Sequence, residues 1–171
     1  MLSYLARIIP AYLRAWAARD RTQVSRLQQR VWPTQIDLNM HMNQSVYPQV
    51  MEAGRLDLVV RSGALNAWRA QGATVVMAHQ HITYRRELRL GAAYLLDTRA
   101  VGVDGRILLL ESHFLVGERV HAAARVGLLS VGPDGVLSAE AVAAMAAPYL
   151  VEALEVEDWR VVGDAVEATV G

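Results

Sequence analysis

Seven residues ahead of a long apolar-patterned segment gather much of the polar chemistry in the first half of the chain: Asp37-Leu38-Asn39-Met40-His41-Met42-Asn43. Asp37, Asn39 and His41 alternate, so an extended loop would turn all three the same way. A carboxylate can act as general base for a water or as a nucleophile, while an imidazole or carboxamide can orient the reacting groups. A helix starting at Gln44 adds unpaired backbone N–H groups of positive partial charge, which can polarise a carbonyl and hold a developing oxyanion. The same residues also suit an ordinary turn and helix cap, because Asp and Asn side chains bond readily to nearby backbone.

Other candidates stand further along. His79 and His81 lie two apart on one strand face, a spacing that can bind zinc, but no third ligand stands near them, and packing or substrate lining is the alternative. Arg85, Arg86 and Arg89 could hold phosphates through their guanidinium groups, or could be a solvated strand end. Glu111 and His113 read as exposed or interface residues of another strand. The chain has no cysteine, which excludes disulfides, thiolate zinc sites and cysteine nucleophiles. The Gly-x-Ser-x-Gly elbow of serine hydrolases does not occur.

The elements that must position these groups follow from periodicity. Gln23 to Trp32 alternates weakly and reads as a strand that Pro33 ends. Asn43 is a suitable N-cap for a helix over about 44–62, in which Tyr47, Val50, Met51, Gly54, Leu58 and Arg61 fit a 3.6-residue period. Glycine inside a helix costs about 1 kcal/mol, so Gly54 implies that something packs closely against it. Four strand-like runs then span 73–88, 93–103, 106–116 and 119–131. The turns Asp104-Gly105 and Gly117-Glu118 join the last three as hairpins. A helix over about 138–147 starts at Ser138 as N-cap, with Glu140 in its first turn. One strand, a long helix and four antiparallel strands make an α+β domain whose sheet has to curl around the apolar stripe of the helix.

At 171 residues the chain holds one domain, read as residues 23–148. The two ends differ in charge. Residues 1–30 carry six arginines against Asp20, whereas residues 133–171 carry Arg160 alone against eight acids. The balanced middle gives no sign of a nucleic-acid surface. Within residues 1–22 an amphipathic helix places Leu2, Leu5, Ile8, Ile9, Tyr12, Leu13 and Trp16 on one side, while Arg7, Arg14 and Arg21 recur every seven residues on another, interrupted or bent at Pro10. It suits packing on its own domain or on a partner subunit, and also contact of residues 2–18 with a membrane surface. Residues 149–171 read as an acidic tail. No run of 18 apolar residues suggests a spanning helix, and the expected location is the cytoplasm, peripheral to the inner membrane surface.

The stretch Val31-Trp32-Pro33-Thr34-Gln35-Ile36-Asp37-Leu38-Asn39-Met40-His41-Met42-Asn43-Gln44-Ser45-Val46-Tyr47, followed by Met51-Glu52-Ala53-Gly54-Arg55-Leu56-Asp57, resembles the hotdog-fold 4-hydroxybenzoyl-CoA thioesterase family. It looks most like the acyl-CoA and acyl-ACP thioesterase branches, whose pattern is Asp-x-Asn-x-His-x-Asn-Asn with a Tyr a few residues on. The run Ile82-Thr83-Tyr84-Arg85-Arg86-Glu87-Leu88-Arg89-Leu90-Gly91 is similar to a second hallmark region of that family. The resemblance covers roughly residues 30–132.

It implies a curled antiparallel sheet wrapped around one long helix and hydrolysis of an acyl-CoA or acyl carrier protein thioester. Asp37 would be the catalytic carboxylate, with Asn39 and His41 in the catalytic set and the Gln44 N–H on the thioester carbonyl. Asn43, Tyr47, Arg85 and Arg86 would contact substrate. The resemblance further implies a homodimer or dimer of dimers with sites at the subunit interface, and no metal or redox cofactor. Two positions depart from the pattern: Gln44 stands where a second Asn is usual, and Val46 where Arg is frequent, which bears on head-group contacts and substrate choice. Hotdog hydratases and dehydratases are the nearest alternative, but their His lies five residues beyond the Asp, usually after Pro, whereas His41 lies four beyond Asp37 and follows Met40. A non-catalytic, membrane-associated acyl-binding protein is the other.

Overall fold

The computed structural model describes residues 2–18 and 21–154. In chain order its elements are α1 (Leu2–Ala17), β1 (Val24–Arg30), α2 (Val46–Ser62), α3 (Ala64–Ala70), β2 (Thr74–Tyr84), β3 (Ala93–Asp104), β4 (Ile107–Val116), β5 (Arg119–Gly132), β6 (Gly135–Val136) and α4 (Ala139–Ala146). The long strands pair antiparallel in the order β1-β3-β4-β5-β2, and β6 adds to β5. Bulges lie between Met77 and His79 and between Ala100 and Gly102. Such insertions bend a strand and increase its twist. The curled antiparallel sheet and its central helix are the hotdog architecture that the sequence resembles.

α2 is the helix that the sheet encloses. Pro48 falls in its first turn, where a missing N–H removes no helical bond. At the other end Gly63 takes a left-handed φ of 87° and donates its N–H to the Val60 carbonyl, which stops the helix. Between those ends Tyr47, Val50, Met51, Gly54 and Leu58 are buried at the expected helical spacing. A Cβ on Gly54 would lie 2.5 Å from Thr98 Oγ1 and 2.8 Å from Leu96 Cδ2, so the helix backbone touches β3 directly. That is the close neighbour the interior glycine implies. Three positions further on, the buried Asp57 carboxylate accepts the Ser25 hydroxyl at 2.6 Å and the Arg61 guanidinium at 3.4 Å. A buried charge is tolerable only when paired in this way.

Several boundaries differ from the sequence reading. β2 stops at Tyr84 instead of continuing to residue 88, because the Arg85 and Arg86 N–H groups both turn to the His121 carbonyl. α3, between the expected long helix and the first strand run, restarts immediately after the left-handed Gly63 and buries Ala64 and Trp68. Trp68 donates its indole N–H to Ser130 at 2.9 Å. Both hairpins form where expected, with Gly105 and Gly117 at positive φ. Ser138 caps α4 by accepting the Ala141 N–H. The segment read as the start of a tail pairs instead: Leu150 bridges Ala100 and the Val151 N–H bonds its carbonyl. Residues 155–171, the rest of that tail, lie outside the described residues.

α1 runs through Pro10 as a single helix and packs on α2. Over residues 9–17 its contact face is not the side that carries Ile9, Leu13 and Trp16. Ala15 is buried and Ala11 packs against the core, while Ile9, Leu13 and Trp16 remain 51%, 55% and 73% exposed. Small side chains let two helix backbones come close, which favours the alanine face.

The outward side of the central strands is charged and yet buried. Asp97, Arg99, Glu111 and His113 are all below a tenth exposed, which overturns exposure, one of the two readings of Glu111 and His113, and leaves an interface role untested. Asp97 pairs with Arg99 at 2.7 Å and Arg26 at 3.1 Å, and Glu111 pairs with Arg125 at 2.5 Å. His113 Nδ1 has no hydrogen-bond partner among the described residues. Burial holds its imidazole below the ordinary value of 6.5, outweighing the nearby Glu111 and Asp97 carboxylates that act in the opposite sense.

Two outcomes are expected. Gly54→Ala gains about 1 kcal/mol of helix propensity but forces the overpacking of a full contact, typically about 1–3 kcal/mol, so urea denaturation should show net destabilisation. For His113 the unfolded state takes up a proton near pH 6.5 while the folded state resists it. Stability should therefore fall as pH drops below that value and be indifferent to His113 above it, with a slope of at most about 1.4 kcal/mol per pH unit. Urea unfolding of His113→Gln across the same range should be flatter than that of the wild-type chain.

Candidate active site

Asp37 sits in a tight turn, not in an extended loop. Its N–H donates to the His41 carbonyl at 2.9 Å, and the Met40 N–H donates to the Asp37 carbonyl at 3.1 Å. Its own Oδ1 accepts the N–H groups of Asn39 at 2.9 Å and His41 at 3.3 Å, and Met40 adopts a φ of 61° to complete the reversal. Local bonding by an Asp side chain wins here over the alternation that would align residues 37, 39 and 41. One carboxylate oxygen thus holds the backbone, and no described residue donates to the other.

Two neighbouring segments pin the turn. Met42 donates its N–H to Leu88 at 2.7 Å, Leu90 donates to Met40 at 3.2 Å, and His41 bridges Arg89, so the catalytic-type loop and residues 88–90 run antiparallel. On the other side the Asn43 N–H bonds the carbonyl of the buried Gln35 at 2.8 Å, and Gln35 Oε1 accepts the Trp32 N–H.

The helix entry also shifts. Asn43 Oδ1 accepts the Ser45 N–H at 2.9 Å and its carbonyl accepts the Val46 N–H, so α2 begins at Val46 with Ser45 as the cap, two residues later than the sequence suggests. Gln44 is left in the connection, and its N–H donates to no described residue. Tyr84 leans over it, with its hydroxyl 3.4 Å from the Gln44 carbonyl.

These groups surround an open cleft of about 450 Å³. Asp37, His41, Asn43, Gln44, Tyr47, Arg85 and Arg86, all singled out in the sequence, line it. Asn39 does not: it lies exposed on the tip of the turn. Arg89 also turns away, pairing with Glu87 at 2.6 Å. His79 and His81 belong to the outward side of β2, in register with Gly127 and Arg125, and among the described residues no three His, Cys, Asp or Glu side chains gather to hold a metal.

Two residues that pattern alone does not pick out complete the cleft. Glu87 places Oε1 3.9 Å from His41 Nε2, and the Arg89 guanidinium holds its carboxyl below the usual range. The alternation Arg85-x-Glu87-x-Arg89 is the sequence signal that could have found it. Tyr84 packs edge-on against Tyr47 at 5.0 Å. Burial, reinforced by Tyr84, pushes the Tyr47 hydroxyl up to about 12, and burial raises Tyr84 as well. Both therefore stay protonated near neutral pH. The cleft offers a fixed carboxylate with one unused oxygen, an imidazole, an unused backbone donor and two guanidinium groups, a set suited to attack on a carbonyl of an anionic substrate.

Residues 31–147 match the thioesterase-like superfamily. Protein THEM6 of Xenopus laevis is 34% identical over 85 residues, which span 50% of this chain and 41% of that protein. The chain thus covers about two-fifths of the curated relative's length. Among solved structures, the probable thioesterase YbaW of Escherichia coli superposes with a TM-score of 0.69 at 18% identity, covering 74% of this chain and 99% of that one. The hypothetical protein SAV2348 of Staphylococcus aureus, solved in complex with CoA, superposes with a TM-score of 0.60 at 18% identity, covering 82% and 93%. At those identities the superpositions establish the fold, and the match over residues 31–147 establishes the family: this chain belongs to the thioesterase-like superfamily.

Proposed function

We propose that the chain is a thioesterase that hydrolyses acyl-CoA or acyl carrier protein thioesters to free acid and thiol. The observation that carries this reading is the free oxygen of a backbone-pinned Asp37 in one cleft with the unused Gln44 N–H. The thioester carbonyl oxygen would sit on that N–H, which takes up the negative charge as the carbonyl carbon is attacked. Asp37 either accepts the proton of the attacking water or attacks first itself and is then released by water. In the first route the proton held by Asp37 passes to the leaving thiolate as the carbon–sulfur bond breaks; in the second the thiolate leaves as the Asp37 anhydride forms and takes up a proton released when water opens that anhydride.

His41 lines the cleft beside Asp37, with Glu87 Oε1 3.9 Å from its Nε2, close enough to orient the imidazole in this proposal. Arg85 and Arg86 are placed to receive phosphates, which guanidinium groups bind in a two-pronged manner. Both CoA and the phosphopantetheine arm of a carrier protein present such groups. The CoA found with the Staphylococcus aureus protein of the same fold supports CoA as a carrier.

Asp37→Asn keeps the Oδ1 acceptor and removes the base. General-base and nucleophilic groups contribute on the order of 10²-fold or more, so free-thiol release from acyl-CoAs should fall by at least that factor, and near-wild-type turnover would sink the proposal. Glu87→Gln should lower kcat about tenfold and leave KM nearly unchanged, because its role is to steady His41. A change confined to KM would instead place Glu87 among the groups that bind substrate.

A further inference from the structure

α1 leaves its larger apolar side chains uncovered. With 3.6 residues per turn, Ile9, Leu13 and Trp16 share a sector of about 60°. That sector lies roughly opposite Ala11 and Ala15, the residues that pack on the core. Single exposed apolar residues are ordinary on a protein surface, whereas several on one side of one helix form a patch that marks a contact site.

Arginines and indole rings flank this ridge on both sides. On one side a groove of about 400 Å³ runs between α1, the end of α2 and α3. Tyr12 and Trp16 line it from α1, and Arg21, Arg61 and Arg69 line it from the segments around the Gly63 turn. Arg61 is engaged by Asp57. Arg21 and Arg69 are exposed, and Arg21 lies against the turn, with Nη1 3.3 Å from where a side chain on Gly63 would begin. α3 divides this groove from an apolar cavity of about 330 Å³ lined by Leu58, Trp68, Leu110 and Leu128, and its Leu65 and Arg69 border both. On the other side of the ridge, Arg14 and the 60% exposed Trp32 line a second groove of about 300 Å³ between α1, β1 and the start of α2. Neither groove has an acidic side chain among its described lining residues.

These features together select the occupant. Exposed arginines without acids beside them call for an anion. The ridge between them calls for an apolar phase, and an anionic lipid surface offers both within a few ångströms. Tryptophan suits the headgroup level, where its ring lies on apolar matter and its N–H faces water. Arginine lays its stem along the apolar boundary and binds phosphate with its guanidinium. A second copy of this chain fits less well, because a two-fold contact sets the same patch against itself and brings arginine-rich flanks together with no acid to receive them.

We propose that this face docks on an anionic lipid bilayer, with Ile9, Leu13 and Trp16 entering the interface and the arginines of the two flanking grooves holding lipid phosphates. Packing on the domain and lipid contact, which the sequence offers as alternatives for this helix, then belong to different faces of it. None of these residues lines the Asp37 cleft, so the proposal stands or falls apart from the thioesterase reading.

The test is co-sedimentation of the full chain with large vesicles of phosphatidylcholine, with and without phosphatidylglycerol. Wild type should bind the vesicles that contain phosphatidylglycerol, bind phosphatidylcholine alone more weakly, and lose affinity as salt rises. One basic residue beside an anionic membrane raises partitioning about fivefold, so Arg21→Gln combined with Arg69→Gln should weaken binding about 25-fold. Leu13→Ser combined with Trp16→Ser should weaken it at least about tenfold. All four side chains are exposed, so thermal melts of both variants should match wild type; should either fail to fold, Arg14→Gln on the other flank replaces it and should weaken binding about fivefold. No binding of wild type to phosphatidylglycerol vesicles, or binding that no variant weakens, overturns the proposal. Without vesicle binding, a dimer that Leu13→Ser with Trp16→Ser converts to monomer would assign the face to a second copy. Again without vesicle binding, a rise in Tm with inorganic phosphate that Arg21→Gln with Arg69→Gln removes would assign the groove to a free anion, and either result overturns the lipid surface.

Discussion

The contact between the backbone of α2 and the Thr98 and Leu96 side chains of β3 is the constraint on which the architecture rests. Only a residue without a side chain allows it, and Gly54 supplies that residue in the middle of the helix. With the helix seated this low, Tyr47 reaches Phe114 at 4.8 Å, and Met51 and Leu58 are buried beneath the strands. Each large apolar side chain so buried contributes about 1.5–3 kcal/mol, more than the propensity lost at the glycine. The depth of the helix also fixes where its first turn ends, and with it the place of Gln44 relative to Asp37.

Around that seat, the Asp37 loop is held mainly by backbone. Asp37 spends one carboxylate oxygen on the turn, and residues 40–42 pair with residues 88–90. Each such hydrogen bond contributes only about 1 kcal/mol net, but together they leave the free carboxylate oxygen few directions to point. Positioning of this kind matters because a reacting group displaced by an ångström loses much of its effect. Arg85 and Arg86 stand at the same cleft on a different segment, where the Arg86 guanidinium donates to the Val120 carbonyl at 3.3 Å.

Much of this was legible in the residues. Alternation and the Asp104-Gly105 and Gly117-Glu118 turns gave the hairpins, Ser138 gave the cap of α4, and Gly54 announced a close neighbour. The composition of the Asp37 stretch placed the cleft. What stayed hidden depended on competition between local and distant bonds. The side chain of Asp37 captures two N–H groups and converts an extended run into a turn, which removes Asn39 from the cleft. Asn43 captures the Ser45 N–H and delays the helix. Glu87 became visible only because a β-bridge brings residues 41 and 89 together across the fold. Glu111 and His113 look like surface residues by type, and their burial follows from packing that no local period reports.

The left-handed turn at Gly63 separates two parts of the molecule that might otherwise vary together. By ending α2 there and beginning α3 on the next residue, it lets the wall of the apolar cavity be a short helix of its own, with its own seven side chains. Substitutions in α3 can deepen or fill that space while the far end of α2, where the carbonyl chemistry would take place, keeps its height and rotation. A lengthening of α2 could not do this, since one added residue turns a helix by about a quarter turn and advances it 1.5 Å. Variation in the volume of that cavity therefore has a natural location: the helix after the glycine rather than the one before it.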